Sequence, residues 1–481
     1  DEPGEFTVTT VDTAGRRIGV IVGERPEAVR DAVYTLLDQQ LGYGFYLTRN
    51  AAEAADSGPF DFAGWELHDQ PQTTERVIFN WYNFLSGVTA WNLEDYKHWI
   101  RQAARMRHTD IMLHTYGWGP FTEFTHNGVT KEVEYLQNTA VGRHWMIEHT
   151  KDVRELIGGE LFADEGPIFG ADVSKIGYGG ITEANRVAKS KALLREAIDY
   201  AVNTVGLGFN WAFEIDTSYG NPQNIIETLP ESDRFEIRDN WLARPDTEAG
   251  YQFFRSMIQQ TMQDFPGITT ITLWARNGTG GAFGGLTTGL KRENLPADWW
   301  PLYDAAPPRA QSKFTAGHIY HAKVAEAVRK ALDELGYAHV KLGFGSWWRE
   351  KVEGDMFSDN FTPAHHFLPS DLTFYPLDYY MAFGDNASFR KNLGLIAAER
   401  RLVLLEWAQH DDGGHLGRPY QPPVDFADKL KDNHIAGYGV IHWMTRPLDV
   451  FFKNIQNQIW QRTRNEPLKT TTDRMARDFF G

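Results

Sequence analysis

Cysteine is absent from all 481 residues, which excludes disulfides, thiolate metal sites and cysteine nucleophiles. That absence fits a bacterial exported or cytoplasmic protein better than a secreted animal one. No apolar run approaches the ~18 residues that a membrane span needs. Positive charge is in deficit, with 48 Lys and Arg against 64 Asp and Glu and a net charge of −16. A field of that sign disfavours nucleic acid and anionic membrane surfaces, while leaving room for a local basic pocket that takes an acidic sugar. The Gly-rich stretch from Gly278 to Gly289 lacks the Gly-Lys-Ser/Thr ending of a phosphate cradle and reads as a rim loop. No Gly-x-Ser-x-Gly elbow offers a serine nucleophile. The chain begins Asp1-Glu2-Pro3-Gly4 rather than with Met; a processed N-terminus is expected, and with it a periplasmic or secreted location.

What the chain has in quantity is aromatic surface: 16 Trp, 19 Tyr and 30 Phe, 14% of all residues. Part of this is needed for core; the remainder suits a cleft in which sugar rings stack. The length exceeds one ordinary core and fits a large barrel with a smaller domain.

Residues 1–70 predict a small α+β domain. Phe6 to Val11 and Arg17 to Val22 read as strands, and Glu24 to Leu41 has helical spacing before Gly42. A polar linker follows, and the second domain is expected over 76–481. There one theme recurs: apolar strand, polar or aromatic end, loop, amphipathic helix. Eight strands fit this theme, or nine if Ile168 to Val173 is counted. A helix is also expected near Trp145 to Leu156. The class is α/β, a (β/α)8 TIM-type barrel preceded by the small domain, because parallel strands need helical crossovers. An open doubly wound sheet is the competing architecture; it would gather polar ends at one switch point rather than on nearly every strand.

Parallel strands bring their carboxyl ends to one face. The stretch Leu402 to Leu405 ends in Glu406-Trp407-Ala-Gln-His410, and Phe209-Asn-Trp211-Ala-Phe213 ends in Glu214-Ile-Asp216. Carboxylates among aromatic rings are the inventory for glycosidic cleavage, one acid protonating the leaving oxygen and a second carboxylate attacking or activating water. Glu214 is the expected acid, since its apolar approach raises a carboxyl pKa; the alternative is a structural ion pair with Arg276. Glu406 or Asp378 is the expected second carboxylate. Asp216 would tune Glu214 or replace it. Asn80, His114, Trp211, Trp274, Arg276, Trp347, Tyr375, Trp407, His410, His442 and Trp443 are the expected substrate-binding residues. His410, Asp411, Asp412 and His415 could instead hold a metal for another kind of hydrolase, but their spacing matches no firm ligand motif, so neither metal nor cofactor is expected. A non-catalytic carbohydrate-binding barrel is the third reading. The expected partner is an oligo- or polysaccharide; oligomeric state is not legible.

Arg76-Val-Ile-Phe-Asn80-Trp-Tyr-Asn-Phe, with Trp91-Asn-Leu-Glu-Asp-Tyr-Lys-His-Trp99 and Ala103-Ala-Arg-Met-Arg-His, resembles the entry to the barrel in α-N-acetylglucosaminidases and α-glucuronidases. The order of a small α+β domain ahead of a barrel is similar to theirs and to that of the β-hexosaminidase group. His410-Asp-Asp-Gly-Gly-His415 resembles the His-Asn-x-Gly-Gly region of the α-N-acetylglucosaminidases. The resemblance implies a glycoside hydrolase using two carboxylates, with Glu214 at the acid's place. Phe213 stands where those enzymes have Asn before the acid, and the Asp-Glu pair of the hexosaminidases is absent.

Overall fold

The computed structural model describes residues 4–51, 65–82, 88, 91, 93–115, 117, 119–133, 186–218, 220–237, 239–276, 285–347, 349–352, 355–359, 361–378, 382–409, 420–442 and 448–480. The expected strand at Ile168 to Val173 and helix near Trp145 to Leu156 lie outside these residues.

The first unit is a three-stranded antiparallel sheet with one helix. Strand β1 (Phe6–Thr13) pairs with β2 (Arg16–Gly23) on one side and β3 (Leu67–Asp69) on the other. Helix α1 (Pro26–Gln40) opens on a proline at its first position, where the missing N–H costs nothing. It buries Ala28, Ala32 and Leu36 together with Phe6 and Val8 of β1.

Eight parallel strands then close a barrel. In chain order they are β4 (Glu75–Tyr82), β5 (Asp110–Thr115), β6 (Gly208–Glu214), β7 (Thr270–Trp274), β8 (Lys341–Trp347), β9 (Thr373–Asp378), β10 (Val403–Trp407) and β11 (Gly437–Ile441). Each pairs with its sequence neighbours, and β11 returns to β4. Every residue of β9 and β10 is buried, as strands covered on both faces must be. The longer crossover helices are α2 (Leu93–Arg105), α3 (Arg186–Asp199), α4 (Glu248–Asp264), α5 (Thr315–Glu334), α6 (Ala387–Ala397), α7 (Phe426–Asp432) and α8 (Asp449–Ile459). Two caps follow directly from sequence: Thr247 accepts from the Gly250 N–H ahead of α4, and Asn386 accepts from the Phe389 N–H ahead of α6.

Strand alternation sorts the wall into two faces. Val77, Phe79, Trp81, Met112, Ala212, Trp274, Trp347, Tyr375, Leu377, Val403, Leu405, Trp407 and Ile441 fill the interior. Ile78, Ile111, Leu113, Phe209, Trp211, Phe213, Leu402, Leu404 and Val440 join the larger core under the helices. Glycine makes room for the largest interior rings. A β-carbon on Gly345 would lie 2.2 Å from the Trp274 ring, and one on Gly343 would lie 2.6 Å from the Tyr375 ring.

Buried polar contacts lock the first unit to the barrel. Arg76 of β4 donates to Asp31 of α1 at 2.7 Å, and Lys453 of α8 reaches Asp38 at 2.8 Å. A closing helix, α9 (Leu468–Phe480), returns to the first unit: Phe479 packs edge-on to Tyr46 with centroids 4.7 Å apart, and Arg49 lies 3.8 Å over the Phe479 ring.

Candidate active site

The carboxyl ends of β4, β5, β6, β7, β8 and β10 bring one compact group together at the mouth of the barrel. Glu214 is the last residue of β6 and lies opposite Trp274 in register, so it faces inward. Its Oε1 is 3.4 Å from Arg276 Nε and 4.0 Å from His114 Nε2, and all three side chains are buried. Burial pushes the Glu214 carboxyl well above the usual range; Arg276 pulls it down and the nearby Asp216 charge pushes it up. Burial, reinforced by Arg276, holds the His114 imidazole well below its usual value. The carboxyl and imidazole are therefore both biased to their neutral forms.

Among the described residues, four indoles stand around this group. Trp347 stacks on Trp407 at 5.1 Å, and Trp81 meets Trp274 at 5.9 Å, Trp347 at 5.7 Å and Trp407 at 6.1 Å, all edge-on. The His114 ring stacks on Trp81 at 4.5 Å. The Arg276 guanidinium lies 5.5 Å over Trp347 and 5.9 Å over Trp81. Trp274, Trp347 and Trp407, expected as open sugar platforms, are instead packed into this cluster, Trp274 against Trp81 and Trp347 against Trp407; Trp347 is the most exposed of the three at 9%. Trp81, the hub of the cluster, was missing from the expected site. Counting alternate residues inward from Val77 would have found it.

Several expected residues are placed elsewhere. Trp211 faces the helices, stacked on Phe265 at 5.2 Å, because alternation opposes it to Ala212. His442 likewise turns outward, accepting from the Trp99 indole N–H at 3.0 Å. Tyr375 is interior but points to the opposite end of the barrel, where its hydroxyl donates to Glu75 at 2.8 Å. Asp216 is committed to structure: it accepts from the Arg276 N–H at 2.9 Å and from the Thr287 hydroxyl at 2.7 Å, with His321 Nε2 at 3.4 Å. It acts on Glu214 through its charge. These four are not placed to hold a sugar at the mouth.

Asp378 and Glu406 are paired in register across β9 and β10, and Glu406 is also opposite Val440 of the outer core. Both carboxylates thus lie on the helix-facing side of the wall, at its carboxyl rim. Asp378 accepts from the Phe383 N–H. Burial and the Asp378 charge push Glu406 well above the usual range. Strands β6 and β10 are four apart whichever way the closed ring is followed, so Glu214 and Glu406 stand on opposite walls. Asn80 shares the outer register, buried, with neither side-chain atom hydrogen-bonded among the described residues. His410, Trp443 and the rest of the His410–His415 cluster lie outside the described residues. Among the described residues no three His, Asp or Glu side chains group as metal ligands.

Fold and mouth define a (β/α)8 barrel with its acidic and aromatic residues at the strand ends, the face that carries chemistry in such barrels. No protein-family model matches the chain, and no curated protein matches it. Solved structures do. One is CpGH89 from Clostridium perfringens in complex with its substrate GlcNAc-alpha-1,4-galactose, at TM-score 0.56 and 10% identity. Another is a family 89 glycoside hydrolase from Clostridium perfringens in complex with PUGNAc, at TM-score 0.57 and 10% identity. Each likeness covers 99% of this chain and 46% of the other, so the chain spans about half the length of the proteins it matches. The likeness shows a shared fold.

Proposed function

We propose that this protein is a glycoside hydrolase that cleaves a glycosidic bond in an oligo- or polysaccharide, with Glu214 as the proton donor. The observation that carries the reading is Glu214 itself. Of Glu214, Glu406 and Asp378, it alone lies in the inward register, and burial pushes its pKa up towards the protonated form. That is the state an acid needs before the leaving oxygen arrives. In the proposed reaction the glycosidic oxygen takes the Glu214 proton as its bond to the anomeric carbon breaks. The anomeric carbon is then taken by a water that gives its proton to a carboxylate of the Asp378–Glu406 pair at the strand-end rim, whose outer register keeps it from attacking the sugar directly. Proton donation leaves Glu214 ionised, and Arg276 stabilises that carboxylate. The likeness of the fold to family 89 glycoside hydrolases supports the same reading. A periplasmic or extracellular setting, where a bacterium meets polysaccharide, belongs to this proposal.

One observation favours a second reading. The Asp378–Glu406 pair occupies the helix-facing register, and Glu214 is paired to Arg276, which suits a barrel that binds sugar without turning it over. Rates on aryl glycosides and a polysaccharide panel separate the two. Glu214→Gln is expected to lose about 10²- to 10⁴-fold in kcat, the usual contribution of a general acid, with sugar affinity retained. Glu406→Gln and Asp378→Asn identify the second carboxylate by which of them loses more. A wild-type protein that binds sugar and releases no product supports the binding barrel.

A further inference from the structure

Among the described residues, the outer edge of the first unit has the features of an unmatched half of a larger sheet. Among the described residues β2 pairs with β1 alone. The Glu24 N–H donates to the Glu5 carbonyl, and Val22, Val20 and Ile18 lie opposite Thr7, Thr9 and Val11. Antiparallel ladders alternate, so Ile18, Val20 and Val22 spend their backbone groups on β1, while Gly19, Ile21 and Gly23 direct theirs away from it. Such an edge is a template for another strand unless it is guarded. Here the guard is weak. Ile18 and Val22 are 45% and 58% exposed, Val11 beside Ile18 is 44% exposed, and no charge interrupts the run from Ile18 to Gly23. On the other face of the sheet, α1 adds Val29 and Val33, each 37% exposed. Val29 borders the strand: a β-carbon on Gly23 would lie 2.8 Å from its backbone nitrogen.

We infer that β2 pairs antiparallel with β2 of a second copy of this chain, about a two-fold axis through Val20. The register is set by two independent conditions. Edge groups must meet edge groups, which puts Gly19 opposite Ile21 of the second copy and Arg17 opposite its Gly23. Charge must also match: in this register Arg16 lies opposite Glu24 of the second copy, twice by symmetry. Arg16 has no ion pair among the described residues, and the Glu24 carboxylate takes only a 3.3 Å contact from the Glu5 N–H there. Sliding by two residues loses both ion pairs. The same register sets Ile18 against Val22 and Val20 against itself on the exposed face. The product is a six-stranded sheet with the two α1 helices side by side, bringing their exposed valines together. A two-fold contact of this kind closes on itself and stops at a dimer.

The chain's lack of cysteine makes the test clean. Val20 would face its own copy as a non-hydrogen-bonded pair, with Cα atoms about 4.5 Å apart, inside the span a disulfide bridges. Val20→Cys is expected to become a disulfide-linked dimer under mild oxidation, and Leu395→Cys, 62% exposed on α6, is expected to form no disulfide link and to run as a single chain on a denaturing non-reducing gel. Light scattering of the wild type should give twice 54.8 kDa. Val22→Asp should give monomers with an unchanged circular dichroism spectrum. Arg16→Glu should weaken the dimer about tenfold, and adding Glu24→Arg should restore it. A wild-type monomer at high concentration overturns the inference. So does Val20→Cys cross-linking no faster than Leu395→Cys, a dimer indifferent to Val22→Asp, or a monomer whose edge takes up a synthetic extended peptide instead.

Discussion

Glu214 and Arg276 are buried side by side at the mouth of the barrel, 3.4 Å apart, and burial outweighs the guanidinium in setting the state of the carboxyl. An ion pair in water would leave the acid ionised. Here desolvation penalises that charge more than Arg276 rewards it.

Replacing Arg276 with Met removes a cationic influence on Glu214, so the carboxyl pKa rises further. An acid catalyst works while protonated, and its rate falls as pH climbs through its pKa. The alkaline limb of the kcat/KM profile is therefore expected to move to higher pH in Arg276→Met. A limb that stays put or moves down would remove Glu214 as its source.

Asp449 should make stability depend on pH in the opposite sense to an ordinary salt-bridged carboxylate. Burial raises it from 3.8 to about 6, against two hydrogen bonds from Thr48 at 2.6 and 3.0 Å. Its folded value exceeds its unfolded one, so its contribution is fully present below about 4 and is lost as pH rises through about 6. The swing is of order 3 kcal/mol at most. Asp449→Asn is expected to flatten that segment of a urea-midpoint against pH curve.

Arg76 and Asp31 join the barrel to the first unit with both charges buried. Arg76→Met leaves Asp31 with the weaker Arg30 contact at 3.1 Å. A loss of about 3–5 kcal/mol is expected in chemical denaturation. Pairing it with Asp31→Leu should recover much of that loss, since the stranded charge is then gone.

Gly345 is the seat of the Trp274 ring. Gly345→Ala places a carbon 2.2 Å from that ring, and overpacking of this kind costs about 1–3 kcal/mol or more. Gly384→Ala, with open space around its β-carbon, is the matched control and should leave the melting temperature nearly unchanged.

The barrel was legible because apolar runs of four to six residues alternate with long amphipathic stretches, and only helical crossovers join parallel strands over such spacings. The outer helix α9 was not read, since its many charged and polar residues give little sign of the one face that meets Tyr46. The site was legible in position and only partly in orientation. Reading strand ends as convergent placed Glu214, His114 and Arg276 together. It failed for Trp211 and His442, which belong to the helix-facing set, and it passed over Trp81, which belongs to the inner one. Tyr375 and Asp216 were missed for another reason: their partners, Glu75 and Thr287, are distant in sequence, and no local pattern announces such bonds.

The knot of indoles at the mouth has a practical consequence. Trp81, Trp274, Trp347 and Trp407 are near enough to share excitation, and all are shielded from solvent. Burial shifts their emission to the blue and their closeness couples them, so they give the mouth of the barrel a strong spectroscopic signature of its own. A ligand entering beside Glu214 reaches these indoles, so its occupancy is expected to register in the tryptophan emission of the unlabelled protein.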